Sequence, residues 1–306
     1  IPKLSTIYDE PFADSSQIPT FLVSQLAKQH VKVALSGDGG DELFCGYNRY
    51  IMSKKFWDMF SLMPQSLRKI LACGLQSISP QNWDKISKFL PGLNQYANFG
   101  DKIHKGANVL KAETLFDLYY MLCSQWQNPI EVVINSKEPG TLLTEFKPIL
   151  KGLNSQQQMM VLDLITYLPD DILVKIDRAA MASSLETRTP FLDHKLIENI
   201  WKIPHSLKLR NGQGKWILRQ ILNKYVPKNL TERPKMGFGI PLDAWLRGPL
   251  RDWAEDLLNE KRLQKEGYYN SRLIRDKWEE HLSGKKNWQH QLWNVLMFQS
   301  WIDTNN

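Results

Sequence analysis

The sequence predicts a mainly helical chain that keeps one corner of a parallel α/β layer. Three observations carry this expectation. Apolar residues alternate through Val31, Val33 and Leu35, the pattern of a short strand. That strand runs directly into Ser36-Gly37-Asp38-Gly39-Gly40-Asp41-Glu42, a loop rich in glycine and carboxylate. From Tyr47 onward almost every apolar repeat has helical spacing. One strand cannot satisfy its own backbone hydrogen bonds, and a parallel sheet needs neighbours. Either further strands lie within segments that read as loops, or sequence preceding Ile1 supplies them; we favour the second.

Taken in order, residues 1–16 read as irregular, with Asp9-Glu10-Pro11 and Asp14-Ser15-Ser16 as turn or cap signals. A helix follows to about Gln29, with Ile18, Phe21, Leu22 and Leu26 on one face and Pro19 tolerated in its first turn. After the strand and its acidic loop, Pro64, Pro80, Pro91, Gly100, Pro129 and Pro139-Gly140 punctuate a run of helices. Further helices are predicted at 156–168, at 170–184 with Leu173, Ile176, Ala180 and Met181, at 191–201 and at 215–225. The stretch 233–241 is a Pro-, Gly- and Lys-rich loop, and helices resume near Leu242. The last, 288–302, spaces Trp288, Leu292, Val295 and Phe298 as a core stripe. There are no repeats and no low-complexity tract.

Size and composition narrow the class. A length of 306 residues suits one large domain or two ordinary ones, and 42% hydrophobic residues with 11 Trp, 10 Tyr and 12 Phe supply a sizeable core. No apolar run is long enough to span a membrane, and no basic stretch leads into an apolar one as in a signal peptide. The expected location is therefore the cytoplasm. The three cysteines, Cys45, Cys73 and Cys123, match no zinc spacing and read as reduced thiols. A net charge of +7 permits nucleic-acid binding, but Lys and Arg are spread out and form no stripe interleaved with aromatics, which argues against it. An anionic small substrate such as a nucleotide fits the same charge. The chain starts at Ile1 rather than Met, which reads as a piece whose beginning has been removed.

Four clusters hold the candidate chemistry. In the loop 36–42, glycines let backbone N–H groups approach a ligand and form an anion-binding nest. Carboxylates in the same loop would repel phosphate unless a divalent cation lay between them, so the loop suggests a magnesium–nucleotide site; the bland alternative is an acidic surface turn. Asp177 and Arg178, among small apolar residues of a helix, form an ordinary ion pair on the simpler view. Pro190 biases Thr189 toward an extended conformation, and if the extension includes 186–188, Glu186 and Arg188 share a side, either as site residues or as a structural bridge. Lys235, in Arg233-Pro234-Lys235-Met236-Gly237-Phe238, is placed to fold over phosphates, or is simply solvated.

In this order the clusters resemble the synthetase domain of the glutamine-hydrolysing asparagine synthetases. The resemblance begins at Asp9-Glu10-Pro11-Phe12-Ala13-Asp14-Ser15-Ser16-Gln17-Ile18-Pro19-Thr20 and continues through the 36–42 loop and Phe44-Cys45-Gly46-Tyr47. It includes Asp177-Arg178-Ala179-Ala180-Met181, residues 185–193, Gly214-Lys215-Trp216-Ile217-Leu218-Arg219, residues 233–238, Leu292-Trp293-Asn294-Val295-Leu296 and Trp301. The resemblance implies an α/β fold of the adenine-nucleotide alpha-hydrolase, ATP-pyrophosphatase type with a large helical C-terminal part. On that basis residues 1–60 are a remnant of the nucleotide-binding layer and 61–306 the mainly helical part.

The implied reaction uses ATP and Mg2+ to adenylate the side-chain carboxylate of aspartate. Ammonia released from glutamine in a separate domain then attacks the acyl-adenylate. By position, Ser36, Gly37 and Gly39 would contact the nucleotide and Asp41 would hold magnesium. Lys235 would stabilise charge on pyrophosphate, Glu186 and Asp38 would orient the amine or take a proton, and Asp177 and Arg178 would shape the pocket. The family's Ser-Gly-Gly-x-Asp-Ser pyrophosphate loop and its N-terminal glutaminase domain are absent from the sequence. The 306 residues alone are therefore expected to make little acyl-adenylate and to hydrolyse no glutamine. Competing readings are a relative that amidates a sugar acid or another carboxylate, and an inactive helical interaction module. An exposed sheet edge also leaves room for a homodimer.

Overall fold

The computed structural model describes residues 1, 3–89, 99–142, 150–232 and 237–305. They divide into two interleaved compact units: residues 1–9, 14–55 and 140–240 form one, and residues 10–13, 56–139 and 241–306 the other. The mainly helical content expected from the sequence is present in both.

In the first unit, the predicted strand is β1, Val33–Leu35, shorter by two residues than expected. Its partner lies within the chain after all. Glu186–Arg188 forms β2, parallel to β1, with Val33 opposite Glu186 and Leu35 opposite Arg188. The favoured expectation that only preceding sequence could supply neighbours is corrected to that extent. A second, antiparallel pair joins β3, Leu209–Arg210, to β4, Gln213–Gly214, across a tight turn in which Asn211 and Gly212 take positive φ.

The helix Gln17–Lys28 forms as predicted, but not with the predicted face inward. Leu22 and Leu26 are each 58% exposed, whereas Gln17 and Ser24 are buried. The reason is close packing against the helix Val174–Met181, which buries Lys175, Ala179 and Ala180 and leaves Met181 outside. Small residues on both helices bring the backbones together, and Thr20 and Ser24 return their hydroxyl protons to Ser16 and Thr20 carbonyls at 2.8 and 2.9 Å.

The helices predicted at 156–168 and 170–184 are Ser155–Ile165 and Val174–Met181. Asn154 and Gln157 cap the first reciprocally. Between them Leu168–Leu173 winds as a π-helix containing Pro169, whose missing N–H breaks the ordinary helical ladder. Past Pro190, the helix predicted at 191–201 is His194–Lys202, started by the Asp193 side chain accepting from the Leu196 N–H at 3.0 Å. The helix predicted at 215–225 is Trp216–Leu222.

In the second unit, Gln65–Ser77, Pro80–Phe89 and Phe99–Leu110 pack together over Ala72, Ala107 and Leu110. Gly100 lies inside Phe99–Leu110 rather than between helices. A Cβ there would sit 2.0 Å from the Pro80 carbonyl oxygen, so glycine is needed for contact rather than for a turn. Pro91 lies outside the described residues. The closing helix Gln289–Asn305 carries the expected stripe, with Leu292 and Val295 buried and Trp288 and Phe298 half-buried. Cys45 is buried and Cys73 and Cys123 are exposed, and none of the three forms a disulfide.

Gly100→Ala must push Pro80–Phe89 away from its neighbour. The expected result is a loss of about 1–3 kcal/mol in denaturant unfolding, with Gly106→Ala, where a Cβ meets open space, as the near-neutral control.

Candidate site at the carboxyl ends of the parallel strands

The site is built where β1 and β2 end side by side. The Ser36 N–H donates to the Arg188 carbonyl at 2.8 Å, and the Glu186 N–H donates to the Lys32 carbonyl at 3.1 Å. The first bond fixes the start of the 36–42 loop against the end of β2, and the second closes the amino end of the pair. Open α/β layers bind ligands outside such strand ends.

The loop turns sharply after Ser36. The Ser36 hydroxyl donates to the Asp38 carboxylate, while the Asp38 N–H returns to Ser36 Oγ at 3.3 Å. Gly37 is exposed, and a Cβ on it would meet nothing within 4 Å, so its backbone faces open space. Gly39 takes φ +82° and precedes the short helix Gly40–Leu43. A side chain there would also strike Leu192, whose Cδ2 stands 2.7 Å from the added carbon. Phe191 covers Gly40 in the same way at 3.3 Å. Residues 190–192, which follow β2, thus fit onto the glycine turn that follows β1.

The two carboxylates after the glycines part company. Glu42 is buried and accepts from the Tyr47 hydroxyl at 2.7 Å. Burial pushes its carboxyl above the usual range, although the Tyr47 bond opposes this. Asp41 is half-exposed and pairs with Lys215 Nζ at 2.9 Å. Lys215 reaches it because β4 comes up under the turn at Cys45-Gly46. The Lys215 N–H donates to the Phe44 carbonyl at 2.8 Å, and Lys215 itself takes φ +55°. Glycine at 46 and 214 permits this approach. A Cβ on Gly46 would lie 2.1 Å from Asp41 Oδ1 and 2.4 Å from Lys215 Cε, and one on Gly214 would lie 2.1 Å from the Cys45 carbonyl.

Behind the loop lies a buried polar support. Asp163 is wholly buried on helix Ser155–Ile165 and receives Arg49 Nε at 3.1 Å together with the Tyr50 hydroxyl. The Arg49 guanidinium lies in the corner of the edge-to-face pair Tyr47 and Tyr167, 4.3 and 4.6 Å from their ring centroids. Burial, then Asp163, holds the Tyr50 hydroxyl protonated far above ordinary tyrosine. Tyr47 therefore joins the Glu42 acceptor to the Arg49 stack.

Of the predicted site residues, Ser36, Gly37, Asp38 and Gly39 gather at the carboxyl end of β1, with Asp41 on the short helix that follows, whereas Glu186 begins β2 at the opposite end of the pair, across from Val33. Glu186 and Arg188 share a side of β2 and bridge each other at 2.7 Å, both exposed. Asp177 and Arg178 stand on the helix that leads into β2, where Arg178 pairs with Asp9 at 3.1 Å and with Asp177 at 3.4 Å. Lys235 lies outside the described residues. Lys215 was missed as a site residue, although Gly214-Lys215 is a turn signal of the kind that places a lysine near backbone. Asp163 was also missed; its signal is a lone carboxylate between the apolar residues Met159-Met160-Val161-Leu162 and Leu164-Ile165.

A glycine-rich acidic loop and a facing lysine lie at the carboxyl end of a parallel strand pair on a mainly helical scaffold. Similarity narrows the class. A family profile described as asparagine synthase matches residues 1–303, and the chain belongs to that family. It is 31% identical, over all of its own length and 45% of the relative, to asparagine synthetase [glutamine-hydrolyzing] 1 of Bacillus subtilis. The same identity relates it to a putative asparagine synthetase of Mycobacterium tuberculosis, over 98% of this chain and 44% of the relative. An amidase, chyE, of Penicillium rubens is 24% identical over 81% of this chain. The chain thus spans about half the length of the curated relatives it matches most fully.

Gly46→Ala forces Asp41 and Lys215 apart without removing either charge. The expected outcome is destabilisation of about 1–3 kcal/mol, together with exposure of the Cys45 thiol to a thiol reagent. Unchanged protection of Cys45 would contradict the packing described for this turn.

Proposed function

We propose that the protein carrying this chain is an ATP-dependent amidotransferase that converts aspartate to asparagine with ammonia drawn from glutamine. The Asp41–Lys215 pair beside the Gly37–Gly39 turn carries the reading: it sets one carboxylate and one ammonium at the mouth of a backbone nest. Ser36, Gly37 and Gly39 hold the nucleotide through N–H and hydroxyl donors. Asp41 is the magnesium ligand. Magnesium takes only one or two carboxylates and completes its shell from phosphate and water, so a single half-exposed Asp41 fits that role. When bound, the ion neutralises charge on the leaving pyrophosphate.

The chemistry requires a better leaving group than a carboxylate oxygen, and transfer of AMP to the carboxylate creates one. As pyrophosphate departs, Lys215 shifts from Asp41 toward the new charge, and Lys235 would stabilise the same charge. Glu186 orients the substrate amine and, with Asp38, accepts the proton that ammonia loses on attacking the acyl carbon. Arg188 bridges Glu186 at 2.7 Å in the resting site. Arg178 and Asp177 shape the wall contributed by the preceding helix. The ammonia comes from a glutaminase domain outside this chain. Among the described residues no helix is long and apolar enough to cross a membrane.

Pyrophosphate release by the protein carrying this chain tests the reading, with ATP, Mg2+ and ammonia, and with aspartate or a sugar acid as acceptor. Aspartate-dependent release with formation of asparagine is expected. Asp41→Asn should lower it about 10²- to 10³-fold, and Lys215→Met by a similar factor. Release that follows a sugar acid and ignores aspartate, or that survives Asp41→Asn, overturns it.

A further inference from the structure

Away from the strand ends, a second charged cluster in the same unit has no part in the proposed reaction. The π-helix Leu168–Leu173 places Asp171 one turn before Lys175, whose ammonium lies 3.5 Å from Asp171 Oδ1. The same ammonium pairs more tightly with Asp14 of the N-terminal segment. Lys175 is buried, and Tyr8 donates its hydroxyl proton to the Lys175 carbonyl at 3.2 Å. Two half-buried carboxylates therefore share one buried ammonium, which leaves one negative charge in excess.

The hydrogen bonds settle where that excess is relieved. Asp14 accepts from the Ser16 N–H at 2.9 Å and from the Ser16 hydroxyl at 2.7 Å, in addition to Lys175. It is satisfied as an ionised acceptor. Among the described residues Asp171 receives no such set of donors, only the Lys175 ammonium at 3.5 Å that it shares with Asp14, and burial with the neighbouring Asp14 charge favours its protonated form. Two carboxylates can hydrogen-bond each other only if one carries a proton. Among the described residues, the remaining groups facing the cluster do not supply a counter-charge. Tyr8 and Tyr167 are held protonated by burial, and Arg49 is paired with Asp163. On the neighbouring helix Gln17–Lys28, Lys28 is turned to the Ser184 carbonyl.

We propose that Asp171 carries a proton in the folded protein and bonds it to Asp14, so that Asp14, Lys175 and Asp171 form a proton-dependent clasp. The clasp fastens the N-terminal segment to the helix Val174–Met181. That helix runs through residues 182–185 into β2, so the clasp sets where Glu186 lies, and Asp171 is a positioning residue. Burial first, and then the Asp14 charge, push the Asp171 carboxyl up to about 7. Burial alone would raise Asp14 too, but Lys175 and Ser16 hold it below the ordinary carboxylate range. The clasp stands on the geometry of this unit and does not depend on the proposed reaction.

The linkage has a definite sign. An acid with a raised folded pKa favours the folded state most at low pH, and the advantage is lost as pH rises from the unfolded value through the folded one. Here that window runs from the usual carboxylate range to about 7. Asp171→Asn keeps a donor toward Asp14 and has nothing to lose. Hydrogen exchange of residues 174–188 in the protein carrying this chain, read at steps from pH 5 to 8.5 for both forms, is the test. The ratio of wild-type to Asn-variant protection should fall up to about tenfold per pH unit below the midpoint and level off above it. Pyrophosphate release need not be measured, so failure here is separate from failure of the functional reading. A constant ratio overturns the clasp. If the variant does not fold, infrared difference spectra of wild type labelled at aspartate carboxyls decide instead. Loss of a protonated-carboxyl band as pH rises from 6 to 8 is expected, and absence of such a band overturns the proposal.

Discussion

Everything at the candidate site depends on the parallel pairing of β1 with β2. The pair is only three residues long on each strand, yet it joins segments more than 150 residues apart in the chain. Two backbone bonds at its ends, Ser36 to Arg188 and Glu186 to Lys32, fix the register. A one-residue slip would turn Glu186 to the opposite face and put Thr187 in its place. The glycine turn after β1 and the Pro190–Leu192 turn after β2 then lock together, because Phe191 and Leu192 occupy the space that side chains at 39 and 40 would need.

A pair so short is not stable on sheet hydrogen bonds alone. It is held by packing on both sides in sequence. After β1, Leu43 and Phe44 enter a core with Ile200, Phe191 and Trp201. Before β2, the helix Val174–Met181 lies close against Gln17–Lys28 through small residues and is pinned by Lys175 to the N-terminal segment. Buried ionic groups add little net stability over apolar ones, but breaking one partner is costly, so they fix a single arrangement. Asp163 does this for Arg49 and Tyr50 behind the loop, and Asp14 does it for Lys175 beside the helix. The glycine-rich site is therefore a thin surface feature on two buried ionic supports.

Much of the site could be read from the sequence because its signals are local. The strand at Val33–Leu35, the loop after it, and the extended backbone before Pro190 each follow from alternation, glycine or proline chemistry over a few residues. The Glu186–Arg188 bridge followed from period-two geometry once the extension was assumed. What failed to show was non-local. Nothing near Glu186 signals that its partner is Val33. The apolar stripe of Gln17–Lys28 pointed to the wrong face, because the preference of two helices for close contact through Ser24, Ala179 and Ala180 is invisible in either alone. Lys215 became legible only through Gly46 and Gly214, two glycines that matter because of each other's neighbours. The interleaving of the two units, with residues 140–240 folding beside 14–55, likewise has no local mark.

The most direct test of this arrangement is hydrogen exchange of the protein carrying this chain, with and without magnesium pyrophosphate. If the ends of β1 and β2 form one anion site faced by Lys215, protection should rise together in residues 36–42, 186–192 and 213–216. A gain restricted to one of these segments, or no gain in any of them at saturating ligand, contradicts a shared site at the strand ends.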